Sequence, residues 1–262
     1  MLVPRRRRRL PSMKPFLISK LLLFLVIAGH AAGFDPTHAA LGQVLAARVT
    51  NGVVDYAALK AAPAGLDGYL ATLAAVPEAE FNAWPEPARL AFLLNLYNAT
   101  TLKLIADHHP VASIKQIGGL LKGPWKQEVV RAWGRVFTLD ELEHKLIRAK
   151  YPDPRAHFAM VCAAKSCPPL RSEPYTGDKL AAQLDDQARV FLAQPAKNRV
   201  DAAAGTLWLS PIFKWFGEDF TASGKTVPEF VAPFLPEAEA KRVRAGGLKV
   251  KFTDYDWSLN GK

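Results

Sequence analysis

The sequence predicts an α+β protein: a predominantly helical single domain packed on a small, mainly antiparallel sheet. Three observations lead there. Ala88–Ile105 is apolar nearly all round, the pattern of a helix buried in a core. Residues 126–138 hold two short strand-like runs on either side of Trp133-Gly134, which reads as a hairpin. Leu248–Tyr255 alternates apolar and polar residues, as a half-buried strand does.

Taken in order, the elements begin with a helix over 38–48, with Thr37 or Asp35 as its cap. Asn51-Gly52 is a turn signal, and Val53–Tyr56 reads as a short strand. An alanine-rich helix follows over 65–75. Pro77, Pro85 and Pro87 punctuate the chain before the long helix of about 87–107, where Pro87 suits the first turn. After the hairpin, Thr138-Leu-Asp-Glu141 is a capping-box signature that starts a helix to about 149. Ala156–Ala163 has the composition of a short buried strand, followed by a loop over Lys165–Pro169 stiffened by Pro168 and Pro169. A helix over 177–193, a strand at Leu207–Leu209, a helix start at Ser210-Pro211 and the tail strand complete the list.

Charge divides the chain unevenly. The net charge is +10, from 34 basic and 24 acidic residues. Residues 1–33 contain Arg5 to Arg9, Lys14 and Lys20, then the apolar run Leu21–Ala28, then Gly29, Ala31, Ala32 and Gly33. Basic, apolar and small-residue regions in that order read as a cleavable secretory signal peptide, with export to a bacterial periplasm or the medium. Lys20 keeps the apolar run too short to span a bilayer, so no stable membrane anchor is expected after cleavage. Residues 34–262 then form one domain, whose 27 basic and 24 acidic residues leave a balance of only +3. That balance, without a basic stripe, excludes nucleic acid as a partner. Nothing specifies an oligomeric state.

Several segments together resemble a known family. These are Phe92-Leu-Leu-Asn-Leu-Tyr-Asn98, Leu139-Asp-Glu-Leu-Glu-His144, Asp153 through Pro169, and Asp254-Tyr-Asp-Trp-Ser-Leu-Asn260. They resemble bacterial members of the domain-of-unknown-function family numbered 547, over most of the chain from about residue 80. The resemblance implies an exported single-domain protein and no established reaction.

The candidate chemistry centres on Cys162-Ala-Ala-Lys-Ser-Cys167, which holds both cysteines. A thiol nucleophile needs a base and a group to orient that base. Cys167, in a loop, is the candidate nucleophile, and His157 or His144 the base. Glu143, Asn95 or Asn98 would be the orienting group. Glu143 falls on the apolar arc of its helix with Leu139, Leu142, Leu146 and Ile147, where an unpaired carboxylate is costly. Arg155 and His157 are its natural partners, in a buried network joining helix to strand. Asn95 and Asn98 share one face of the long helix and need hydrogen-bond partners there. Outside the cytoplasm Cys162 and Cys167 can instead form a structural disulfide. His144, His157, Cys162 and Cys167 offer donors zinc accepts, but at no standard spacing, so neither a metal nor a cofactor is expected. Trp208, Phe213, Trp215, Phe216 and Phe220 form an aromatic cluster that reads as core or as a groove wall. Two functions follow from different classes. One is thiol-dependent acyl or amide hydrolysis or transfer on a small-molecule, peptide or cell-wall substrate. The other is a non-catalytic binding or assembly module braced by the Cys162–Cys167 bond.

Overall fold

The computed structural model of the chain describes residues 34–119 and 122–262, so the expected signal peptide at 1–33 lies outside the described residues. The described chain is α+β and predominantly helical. Helix α1 (Ala39–Arg48) is entered through Asp35, whose carboxylate accepts from the Thr37 and Ala39 N–H groups. Strands β1 (Val49–Thr50) and β2 (Val53–Val54) pair antiparallel about Asn51 and Gly52, which have φ of 51° and 78°. An Asn-Gly pair reaches this left-handed region readily, which is why it makes tight hairpins. The strand expected over 53–56 is shorter, because the Asp55 side chain caps α2 (Tyr56–Ala61) by accepting from Ala58 N–H. Helices α3 (Ala64–Ala75) and α4 (Glu78–Ala83) lead to α5 (Glu86–His108).

Every residue of α5 from Leu90 to Ala106 except Lys103 is buried. The helix packs against α2, α3 and elements from later in the chain, and forms the axis of the larger core. The hairpin follows as β3 (Glu128–Ala132) and β4 (Arg135–Thr138), turning at Trp133-Gly134. The Thr138–Glu141 capping box then starts α6 (Leu139–Glu141). The expected helix continues differently: Leu142–Arg148 is wound as a π-helix. Such wide turns are uncommon and occur often at functional sites.

The strand expected over 156–163 is instead the short helix α7 (Ala156–Ala159) followed by extended chain. Asp153 and Pro154 explain the difference. The Asp153 carboxylate accepts from Arg155 N–H, and the Asp153 carbonyl from Ala156 N–H, which closes the first turn. An aspartate before a proline is a helix-start pair, and the apolar composition of the run concealed it. Helix α8 (Leu180–Leu192) is followed by β5 (Arg199–Asp201) and β6 (Thr206–Leu209). Next come α9 (Ile212–Trp215), α10 (Gly217–Thr221), α11 (Val227–Val231), α12 (Glu237–Arg244) and β7 (Lys249–Phe252). Strand β6 is central, antiparallel to β5 and parallel to β7. The tail is therefore strand, as expected, but not half-buried: all four residues of β7 are exposed. A second core of Phe158, Phe191, Phe213, Phe220 and neighbours lies beneath this sheet and its helices. Phe213 and Phe220 are thus core, whereas Trp215 stands 47% exposed. Among the described residues no helix is long and apolar enough to cross a membrane.

Candidate functional site

The chain from Ala159 to Cys167 is held from three sides. From α5, Asn98 donates Nδ2–H to the Ala159 carbonyl at 2.8 Å and accepts from Val161 N–H at 2.9 Å. Asn95, one turn earlier, does the same to Tyr175, at 2.7 and 3.0 Å. Both amides are buried, so each clamp meets the demand for partners that their burial imposes. From the other side the C-terminal segment lies along the loop. Lys165 N–H donates to Ser258 O, Ser166 N–H to Asp256 O, and Asn260 N–H to Ala163 O. From behind, Lys197 Nζ donates to the Cys167 carbonyl at 2.6 Å.

These restraints bring the two sulfurs to 2.7 Å, with both cysteines free thiols. The disulfide considered from the sequence is therefore not formed in this structure. The loop places the sulfurs unequally. Cys167 is 3% exposed and buried, not displayed at the surface as expected, while Cys162 is only partly covered. Burial pushes the Cys167 thiol well up. The hydrogen bond from Cys167 pulls Cys162 down, and a second contact, from Tyr255 Oη at 3.2 Å, acts in the same direction. Cys167 in turn accepts from the Cys162 backbone N–H at 2.9 Å. The ionised form of this pair is thus a Cys162 thiolate that accepts from the Cys167 thiol, the Tyr255 hydroxyl and the Ala164 backbone N–H, because burial keeps the Tyr255 hydroxyl protonated.

Both cysteines line a cavity of about 400 Å³ together with Glu143, His144 and His157. Four residues expected from the sequence to act together therefore share one cavity with Cys162, although their pairings differ from expectation. Glu143 does not meet Arg155 or His157; its carboxylate accepts from the Tyr97 hydroxyl at 3.1 Å, and burial raises its pKa. Arg155 turns away to Asp153 and Asp185, at 2.6 Å each. An aspartate two residues away and another on α8 satisfy it locally, leaving nothing for Glu143.

His157 is buried, stacks on Phe216 at 4.1 Å, and its Nε2 lies 2.6 Å from an Asp219 oxygen. Arg148 grips the same carboxylate through Nε at 2.7 Å and a second nitrogen at 3.0 Å. Arg148 holds Asp219 below the usual carboxylate range, so the aspartate is ionised and accepts. His157 must then carry its proton on Nε2. Burial lowers its pKa to about 4, so the ring is neutral at neutral pH. The third nitrogen of Arg148 meets His144 Nδ1 at 2.6 Å, which places the His144 proton on Nε2, facing Asp140 at 3.5 Å. Among the described residues neither imidazole bonds to either sulfur, so the expected thiol–imidazole pair is not formed.

The opposite wall is aromatic. Trp215, Tyr255 and Trp257 touch one another at centroid distances of 4.8, 4.6 and 5.9 Å, and Trp125 meets Trp257 edge-on at 5.9 Å. From the expected aromatic cluster, Trp215 and Phe216 face the cavity. Lys126 lines it too, is exposed, and has no ion-pair partner among the described residues. Among the described residues no group of three or more His, Cys, Asp or Glu side chains is arranged to hold a metal ion.

Tyr97, Asp219, Tyr255 and the walls at Trp125 and Trp257 were not foreseen. Tyr97 lies between the two asparagines, and Tyr255 and Trp257 lie inside the tail motif Asp254–Asn260. Asp219, 62 residues from His157, left no local signal.

Residues 81–192 match the family described as "Protein of unknown function, DUF547". No curated protein and no solved structure matches the chain. Helix α5 with both asparagines, Glu143, the two histidines and both thiols all fall within the matched span, while Trp215, Asp219 and Tyr255 lie beyond it. Over residues 81–192, the segment that carries its thiols, the chain matches the family of unknown function 547.

Proposed function

We propose that this protein is an exported thiol–disulfide exchange enzyme in which Cys162 is the attacking sulfur and Cys167 the resolving one. The observation that carries the reading is the sulfur pair itself: 2.7 Å apart at a cavity wall, with Cys162 shifted down and Cys167 shifted up. Exchange needs this asymmetry, since the thiolate attacks and the partner must stay protonated until it resolves the mixed disulfide. In the reducing direction the Cys162 thiolate attacks one sulfur of R–S–S–R. A Cys162–S–S–R bond forms, and the first RS⁻ leaves and takes a proton from water. Cys167 then attacks the Cys162 sulfur, closes Cys162–S–S–Cys167 and passes its proton to the second RS⁻. Two electrons move from the protein thiols to the substrate. A bond of about 2.05 Å requires the sulfurs to approach only slightly. The expected signal peptide would deliver the protein to an oxidising compartment, where such a pair has partners.

The test is trapping. Cys167→Ser cannot resolve and accumulates a mixed disulfide on Cys162, identified by mass mapping after exposure to an alkyl disulfide. Cys162→Ser accumulates none. If the reduced protein forms no mixed disulfide and never closes its own pair, the reading fails, and a binding module without thiol chemistry replaces it.

Glu143 favours a second reading, thiol-dependent acyl or amide chemistry. A carboxyl held by Tyr97 with a raised pKa can protonate a leaving amine, while Cys162 attacks the acyl carbon. In that case Glu143→Gln abolishes hydrolysis of a thioester or amide probe, yet leaves exchange with alkyl disulfides unchanged.

A further inference from the structure

Resting on the exchange reading, we infer that the cavity selects a low-molecular-weight disulfide or thiol with a flat aromatic body and an anionic end. The cavity, at about 400 Å³, lies toward the small end of ligand sites. The sulfur pair is part of its wall and, of the two cysteines, only Cys162 is more than marginally exposed, which favours a small disulfide over one held within a folded protein. Trp215 lines the cavity that such a compound would enter.

That residue sets the chemistry of the body. A tryptophan 47% exposed, in contact with Tyr255 and Trp257, is a large apolar surface left beside the one sulfur that is open. The Tyr255 hydroxyl contacts Cys162 Sγ at 3.2 Å, so a ring laid against this wall lies next to the attacking atom. Aromatic pairing of this kind contributes beyond buried area alone. Lys126 sets the charge of the far end. It is exposed, lines the cavity, and has no acidic partner among the described residues. Of the two acids at the cavity, Asp140 faces His144, and Glu143 accepts from Tyr97 with a raised pKa. Lys126 is therefore the cavity's one cation, among the described residues, without such an engagement.

The experiment measures second-order rates of reduced wild-type protein with four probes. These are an aromatic dicarboxylate disulfide (bis(carboxy-nitrophenyl) disulfide), neutral hydroxyethyl disulfide, cationic cystamine, and a folded protein disulfide. Each rate is divided by that of free N-acetylcysteine with the same probe, which removes intrinsic reactivity. The expected order is aromatic anion first, by about tenfold over the neutral probe, the scale of one favourable aromatic contact. The folded disulfide should be slowest. Trp215→Ala, at an exposed position the fold tolerates, removes most of that preference. Lys126→Gln reduces only the anion-over-cation ratio, and added salt does the same to wild type. Equal normalised rates across the small probes, or a preference unaltered in Trp215→Ala, overturn the selectivity while leaving exchange intact. Inertness toward every probe overturns the exchange reading and the selectivity together.

Discussion

At the scale of single residues, burial decides how titratable groups behave, and two histidines make this measurable. His157 sits beneath Phe216 against Asp219, and His38 lies buried with Nδ1 2.7 Å from the Tyr69 hydroxyl. Burial lowers both to about 4 from 6.5. With folded pKa values below the unfolded one, the unfolded chain binds these protons first as pH falls. Their stabilisation is complete above pH 6.5 and lost between 6.5 and about 4. A shift of this size corresponds to roughly 3 kcal/mol per histidine. Glu143 acts in the opposite sense, because its raised pKa lets the folded state take a proton before the unfolded one. Urea unfolding at a series of pH values should show stability falling through this window, and His38→Gln, which touches no cavity residue, should flatten the fall. A stability unchanged between pH 7 and 4.5 would remove the account. The residue types of the site were legible in the sequence, since a thiol pair, two histidines and a carboxylate on an apolar arc are visible as letters. Their pairings were not. Asp219 reaches His157 across 62 positions and Tyr97 reaches Glu143 across 46, and no local pattern encodes either contact. Arg155 is the exception, since its partner Asp153 stands only two residues away, at a helix start that Asp153-Pro154 marks in the sequence.

At the scale of elements, α5 acts as a ruler whose two asparagines fix different loops, and the difference can be tested. Asn98→Ala leaves the Ala159 carbonyl and the Val161 N–H without partners just upstream of Cys162. Each orphaned buried group costs about 1–3 kcal/mol. Asn95→Ala orphans a similar pair at Tyr175, which is not among the cavity residues. Both variants should therefore unfold at lower urea, but only Asn98→Ala should alter the rate at which iodoacetamide labels Cys162 in the folded protein. Equal labelling in the two variants would show that the clamp holds the fold without setting the thiol. The helix itself was plain in the sequence because its apolar character runs on all faces, and the hairpin and capping box were equally plain because their signals are local. The π-helix over Leu142–Arg148 carries no such signal, and it is this segment that presents Glu143 and His144 to the cavity. Strand β7 was legible as a strand but not as a parallel, exposed edge, because alternation reports periodicity and says nothing about which neighbour a strand joins.

At the scale of the whole molecule, the site lies where two apolar cores meet. Phe158 belongs to one, Ala159 and Met160 to the other, and Tyr255 packs against both. The last ten residues hold this junction by running back along the thiol loop to β2, where Val54 N–H donates to Asn260 O and Lys262 N–H to Val54 O. The anchor is a buried hydrogen bond from the Tyr56 hydroxyl to Asn260 Oδ1 at 2.8 Å, spanning 204 positions. The tail motif was conspicuous in the sequence, yet its seat was not, because a segment without strand or helix periodicity takes its place entirely from distant partners. Asn260→Ala removes the acceptor and leaves a buried tyrosine hydroxyl unpaired, at about 1–3 kcal/mol. For a chain of this size that lowers Tm by about 2–4 °C per kcal/mol. If the tail also positions the aromatic wall, a second effect follows: Tyr255 loosens from Cys162, the thiolate loses one of its donors, and the apparent pKa of Cys162 labelling rises. Tyr56→Phe deletes the same anchor from its other end while leaving Asn260 in place, and should raise the labelling pKa in the same direction. A Tm loss in both variants with no change in the labelling profile would mean that the tail braces the fold but leaves the thiol pair to the loop alone.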